Sequence, residues 1–250
     1  MEILGIRVDA ITYQQALEKS KELIESGGKH YIVTPNPEII VKATKDAQFR
    51  NILNKSALSV PDGIGLVLLA KLTGKPLKER VAGVDLLEGL AALAQEHGFS
   101  MFLLGSGERV VKKAGEALKK EYPKLEIVGT YSGVADPKFD KETRGKIGNK
   151  KIDILAVAYG APKQEKWIAR NLPKLNVKLA IGVGGAFDYI SGGKRRAPVF
   201  LQKIGLEWAF RLISEPSRLK RQLALPYFVY LMFRESSKIK SQTSKLQRKN

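Results

Sequence analysis

The chain contains no cysteine, which excludes disulfides, thiolate metal sites and cysteine nucleophiles together. Its two histidines, His30 and His97, lie far apart in sequence, so a histidine-based zinc site is not expected. Asp-x-Asp, the pair that commonly bridges a divalent metal to a diphosphate, does not occur. Nor does a Walker loop: Gly192-Gly193-Lys194 is followed by Arg195 rather than Ser or Thr, and no glycine stands five residues before Gly193. No apolar run approaches the ~20 residues a spanning helix needs. Met1 to Ala10 lacks a basic stretch followed by an apolar one, so no secretory signal is expected and the protein is read as cytoplasmic.

What is present is an ordinary globular composition, 44% hydrophobic over 250 residues, enough for one sizeable core with a small appendage. Charge is less ordinary. The formal net charge is +18, and Lys194 to Asn250 carries fourteen Lys/Arg against three Glu, a net of +11. A basic tail of this kind points to an anionic partner, nucleic acid or acidic lipid, with a solvated end that aids solubility as the plainer alternative.

Short apolar runs alternate with amphipathic stretches of helical length up to about residue 195. Ile3–Val8 reads as a strand, and a helix capped by Thr12 runs to Ser26. Further strands are expected at Tyr31–Val33, Ala57–Val60, Ser100–Leu104, Leu125–Gly129, Ile152–Ala158 and Leu179–Val183, with helical segments between them. The pattern predicts an α/β fold with a largely parallel sheet and a Rossmann-like core over residues 1–195. Ligands in such folds collect at the carboxyl ends of strands, here after Val33, Val60, Leu104, Ala158 and Val183. Residues 196–250 form a basic, mainly helical appendage. Phe200–Ile213 is helix-like, Pro216 and Pro226 break the stretch after it, and an aromatic run (Tyr227, Phe228, Tyr230, Phe233) precedes a polar end expected to fray.

Several strand ends carry chemistry. Gly105-Ser106-Gly107 follows a strand and opens a helix, a geometry that suits a diphosphate, although Val110 replaces the third glycine of the dinucleotide fingerprint. Gly184 and Gly185 form a second glycine turn after a strand; a tight structural turn is the plainer reading of the first, and close backbone packing that of the second. Asp62 sits in a Pro-Asp-Gly turn, and Thr34 and Asn36 end the strand before it, so neighbouring strands would gather the three.

Taken together, Thr34-Pro35-Asn36-Pro37-Glu38, Pro61-Asp62-Gly63, Arg80-Val81-Ala82-Gly83, Gly160-Ala161-Pro162-Lys163-Gln164-Glu165 and Gly184-Gly185-Ala186-Phe187-Asp188 with Arg196-Ala197-Pro198 resemble the TagA/WecG/CpsF glycosyltransferase family. The region from Trp208 to Arg218 is similar to that family's carboxyl-terminal portion. The resemblance implies an inverting, metal-independent transfer of N-acetylmannosamine from its UDP form to the 4-hydroxyl of N-acetylglucosamine on undecaprenyl diphosphate, giving a β linkage in wall teichoic acid assembly. A related member uses the uronic acid form of the donor, and no residue here decides between them. Under this reading Asp62 is the base, Thr34 and Asn36 bind sugars, and Arg80 and Gln164 bind donor. The turns at Gly105, Ser106 and Gly107 and at Gly184 and Gly185 receive the nucleotide, and no cofactor is required. Arg211, Arg218 and Arg221 would grip the lipid diphosphate while the aromatic run settles in an anionic membrane surface, making the enzyme peripheral on the inner face of the cell membrane. No nucleic-acid partner is expected, because the basic residues lie with a proline-broken aromatic run rather than on a reading helix. An NAD-dependent oxidoreductase rests on the incomplete glycine turn alone. A homo-oligomer is compatible with the sequence, which leaves the oligomeric state open.

Overall fold

The computed structural model describes residues 1–203, 206–215 and 219–247. Strand β5 (Ser100–Gly105) shows why the strands read as unbroken apolar runs: every one of its residues is buried. Met101 and Leu103 enter one core cluster while Phe102 and Leu104 enter another, because successive side chains point to opposite faces and both faces are covered. The same division separates Ile154 and Ala156 from Leu155 and Val157 in β7 (Ile152–Ala158).

Among the described residues one six-stranded sheet runs in the order β4 (Leu58–Ser59), β3 (His30–Val33), β8 (Val177–Gly182), β7, β5, β6 (Glu126–Tyr131), and all its pairings are parallel. Parallel pairing brings every strand's carboxyl end to the same edge, as the sequence predicts. Helices α1 (Tyr13–Glu25), α5 (Gly83–His97), α6 (Glu108–Glu121) and α9 (Ala186–Ile190) cover one face. The other carries α3 (Ala47–Asn54), α7 (Asp140–Ile147) and α8 (Lys163–Asn171), with α2 (Pro37–Lys45) and α4 (Ile64–Leu72) toward the β4 edge.

Local chemistry sets the boundaries. Thr12 caps α1 as expected, in a reciprocal capping box with Gln15. Asp46 ends α2 and accepts from the Phe49 N–H to begin α3, dividing what the sequence presents as continuous helical signal. The amino-terminal strand expected over Ile3–Val8 is instead a tight hairpin, β1 (Glu2–Ile3) against β2 (Ile6–Arg7). Leu4 and Gly5 turn the chain with φ of +50° and +79°, and Ile3 and Ile6, both buried, pair across it.

The carboxyl-terminal segment is helical: α10 (Val199–Lys203), α11 (Glu207–Ser214), α12 (Leu219–Gln222) and α13 (Ala224–Gln247). Two expectations change here. Pro226 does not break α13, because it sits in the first turn, where a missing N–H costs no intrahelical bond. The end expected to fray continues as helix to Gln247. The aromatic run is also divided by helical geometry. Phe228 and Met232, four residues apart, are buried against α2 and α4, whereas Tyr227, Tyr230 and Phe233 are exposed. Polar links fix the segment further: Lys194 to Glu215 at 2.8 Å, Lys75 to Glu235 at 3.4 Å, and the Lys45 ammonium 4.9 Å from the Tyr227 ring centre. No helix among the described residues is long and apolar enough to cross a membrane.

Candidate active site

The site grows from the carboxyl ends of β3 and β4. The chain leaves β3 at Thr34, and the Asp62 N–H donates to the Pro35 carbonyl at 2.9 Å, which locks the two loops together. Gly63 adopts φ +102°, accessible to glycine, and opens α4 directly after Asp62. Val81 donates to the Pro61 carbonyl at 2.8 Å, so the Arg80–Gly83 loop lies across the same turn. At the start of α5 the Gly83 N–H is turned to the Asp62 carboxylate and favours its charged form. A Cβ on Gly83 would stand 3.6 Å from the Thr34 hydroxyl and 3.9 Å from Asp62 Oδ2, so the helix starts within contact distance of both. The three sequence motifs are one structural unit.

Asp62 is mostly enclosed. Burial pushes its carboxyl above the ordinary value of 3.8, opposed by the Arg80 and Arg211 guanidinium groups and assisted by Glu207. Arg80 Nε stands 4.0 Å from Asp62 Oδ1, within ion-pair range but without a hydrogen bond. The other arm of Arg80 donates to Glu207, which also accepts from Arg211, and the Arg211 guanidinium lies 4.9 Å from the Tyr189 ring centre. Glu207 and Tyr189 are neighbours of these arginines that sequence reasoning missed. The i,i+4 spacing of Glu207 and Arg211 on an amphipathic helix was the available signal.

These groups line a cavity of about 410 Å³. Asn36, Glu38, Asp62, Arg80, Glu207, Arg211 and Arg221 form a polar, mostly charged part; Ile64, Leu68, Leu206, Trp208 and Leu225 form an apolar one. Leu68 and Trp208 are 54% and 44% exposed, so the apolar wall continues to the surface. Arg221 is paired with Glu38, its Nε 3.0 and 3.1 Å from the two oxygens, and these contacts with Lys42 hold Glu38 below the ordinary carboxylate value against the effect of its burial. Arg80 also borders a second cavity of about 460 Å³, whose Asp85 and Glu88 make it unfavourable for a phosphate.

The structure thus brings together Asn36, Asp62, Arg80, Arg211 and Arg221. Asn36 is also the N-cap of α2, its Oδ1 accepting from Ile39 at 2.9 Å, so its NH2 end is the part left for a ligand. Thr34 is buried behind the cavity, its hydroxyl 3.4 Å from the Gly182 carbonyl that accepts from it. Gln164 is buried as well: its Oε1 accepts from the Gly160 and Gly184 N–H groups at 3.0 and 2.9 Å, and its Nε2 donates to Glu165 at 2.8 Å. It clamps the loops after β7 and β8. Gly105, Ser106, Gly107, Gly184 and Gly185 do not line the cavity. Gly105 has a packing reason, since a Cβ would fall 2.8 Å from the Ala158 backbone, and the Ser106 N–H donates to the Ala158 carbonyl at 3.0 Å. Arg218 lies outside the described residues. Among the described residues no group of three or more His, Asp or Glu is placed to hold a metal ion.

The model of the Glycosyl transferase WecG/TagA/CpsF family matches residues 1–242. An N-acetylglucosaminyldiphosphoundecaprenol N-acetyl-beta-D-mannosaminyltransferase of Bacillus spizizenii is 37% identical over 199 residues, 80% of this chain and 77% of that protein. Proteins of the same name from Bacillus subtilis and Staphylococcus aureus (strain MW2) are 35% and 31% identical, covering 85% and 96% of this chain and 86% and 94% of their own. With the family's model matched over nearly the whole chain, this protein belongs to the WecG/TagA/CpsF family of glycosyltransferases.

Proposed function

We propose that this glycosyltransferase moves N-acetylmannosamine from UDP-N-acetylmannosamine to N-acetylglucosaminyl-diphospho-undecaprenol with inversion, forming the β-1,4 linkage of the teichoic acid linkage unit. The observation that carries it is the cavity's composition. A buried carboxylate, paired guanidinium groups and an apolar wall open to the surface suit an acceptor that is a sugar diphosphate at one end and a polyprenyl chain at the other. The names of relatives from Bacillus and Staphylococcus support the same acceptor and the neutral amino sugar.

In this mechanism Asp62 takes the proton of the acceptor 4-hydroxyl as its oxygen attacks the anomeric carbon, and UDP departs from the opposite face. Arg80 and Arg211 meet the negative charge of the departing diphosphate or of the acceptor's own diphosphate, a role a metal fills in other enzymes. The donor nucleotide is assigned to the turns at Gly107 and Gly185, beyond the cavity. The exposed apolar side chains of α11 and α13 (Ile213 and Tyr230 among them), within the most basic part of the chain, would rest with Leu72 of α4 on an anionic bilayer at the inner face of the membrane. Offering UDP-N-acetylmannosamine and its uronic acid counterpart in parallel, in excess EDTA, tests the donor and the absence of a metal requirement together. Preference for the acidic donor would replace this reading with uronic acid transfer, and restoration of lost activity by magnesium would replace the arginines with a metal.

A further inference from the structure

Glu207 has no role in the chemistry described above, yet it is the most enclosed charged group of the cavity, 5% exposed. One of its oxygens accepts from Arg80 and the other from Arg211. Arg80 approaches the loop after β4 from the α/β body and Arg211 comes from α11, so a single carboxylate joins the two parts of the chain at the site. Arg80 Nε, buried and without a hydrogen-bond partner, stops 4.0 Å short of Asp62 Oδ1. Were Glu207 absent, the nearest anion for that guanidinium would be Asp62 itself.

We propose that Glu207 is a positioning residue: it holds Arg80 off Asp62 so that the carboxylate stays free to accept the acceptor's proton, and it makes that freedom depend on α11 being docked. The inference rests on the assignment of Asp62 as base. It accounts for an otherwise costly arrangement, a third buried charge beside two guanidinium groups. Asp62 with Arg80, and Glu207 with Arg211, form a quartet of zero net charge. The other group acting on Asp62 among the described residues, the Gly83 N–H from α5, is neutral. Arg211, already resting against Tyr189, then has its place on the α/β body fixed from two sides.

The test is a titration of the Asp62 carboxyl by ¹³C NMR on the full chain with carboxyl-labelled aspartate, the resonance identified by its loss in Asp62→Asn. In Glu207→Gln the Asp62 midpoint should fall, because Arg80 closes on it. In an Arg80→Gln background the same Glu207→Gln change should move it much less, since the mobile guanidinium is gone. Glu207→Asp keeps the charge but is one methylene too short to span both arginines. It should lower the midpoint as well, and it carries the test if Glu207→Gln does not fold. Transfer by Glu207→Gln should drop in kcat on the order of 10²-fold, with its acid limb displaced to lower pH. An Asp62 titration unmoved in both Glu207 variants, or lowered equally with and without Arg80, overturns the proposal. The titrations involve no sugar substrate, so they stand whatever donor the enzyme uses. Full activity in Asp62→Asn would instead remove the base reading on which the inference rests.

Discussion

At the scale of single residues, two carboxylates, Asp62 half-buried and Glu165 fully buried, behave differently from surface ones. Asp62 keeps its proton to a higher pH than a free aspartate because burial outweighs the nearby guanidinium charge. As a base it works only when ionised, so kcat/KM should rise with pH along a limb lying above the ordinary carboxylate range. A limb at the ordinary aspartate value, measured in the free enzyme, would place the base elsewhere. Glu165 is pushed up to about 7 from 4.5 by its burial, with one oxygen unpartnered and the other accepting from Gln164. Between these two values the folded state holds a proton that the unfolded chain has released. Its stabilising effect is therefore complete at acid pH and is lost as pH rises through about 7. The difference is about 3 kcal/mol. Replacing it in Glu165→Gln, which preserves an acceptor for Gln164, should flatten the decline in urea midpoint between mildly acid and mildly alkaline buffers. An unchanged pH slope would show that Glu165 ionises freely in the fold.

Elements decide which residues can act together, and α13 is the clearest case. Phe228 fills the core against α2 and α4, whereas Tyr230, two residues on, is exposed. Phe228→Ala should cost about 3–5 kcal/mol of stability. Tyr230→Ser should leave the unfolding midpoint nearly unchanged and weaken sedimentation with anionic liposomes. Equal stability losses would mean that both faces are packed, and unaltered sedimentation would take Tyr230 out of the membrane contact. The sequence predicted the strands well, since β7 was read at its observed boundaries and β5 to within one residue. An apolar run flanked by turn residues leaves few alternatives when both faces are buried. The hairpin at Leu4-Gly5 was not legible, because alternating apolar residues look the same in one strand and across a tight turn. The direction of α13 was hidden too. An aromatic run on a helix has an inner and an outer face, and composition records only their sum. At the site, Asp62 and Asn36 from adjacent strand ends converge with Arg80 from the loop before α5, Arg211 of α11 and Arg221 of α12. Gln164 and Glu207 were harder to place, for their roles are hydrogen bonds to partners 20 and 127 residues away.

For the whole molecule, a parallel α/β body whose strand ends supply the Asp62 carboxylate is closed by a basic helical segment that supplies guanidinium groups and an apolar rim. Neither part contains the complete cavity: Asp62 and Arg80 come from the body, Glu207, Arg211 and Arg221 from the segment. Chemistry and approach to a lipid-borne acceptor are therefore joined in one wall. The most direct measurement is a mass-spectrometric transfer assay on the full chain, with UDP-N-acetylmannosamine and a short-lipid diphosphate N-acetylglucosamine acceptor, run beside Asp62→Asn. The wild type should add one N-acetylhexosamine to the acceptor, and the variant, folded and still binding UDP, should do so ~10²–10⁴-fold more slowly. An acceptor of unchanged mass with the wild-type chain, or a variant that matches its rate, would contradict a transferase with Asp62 as its base.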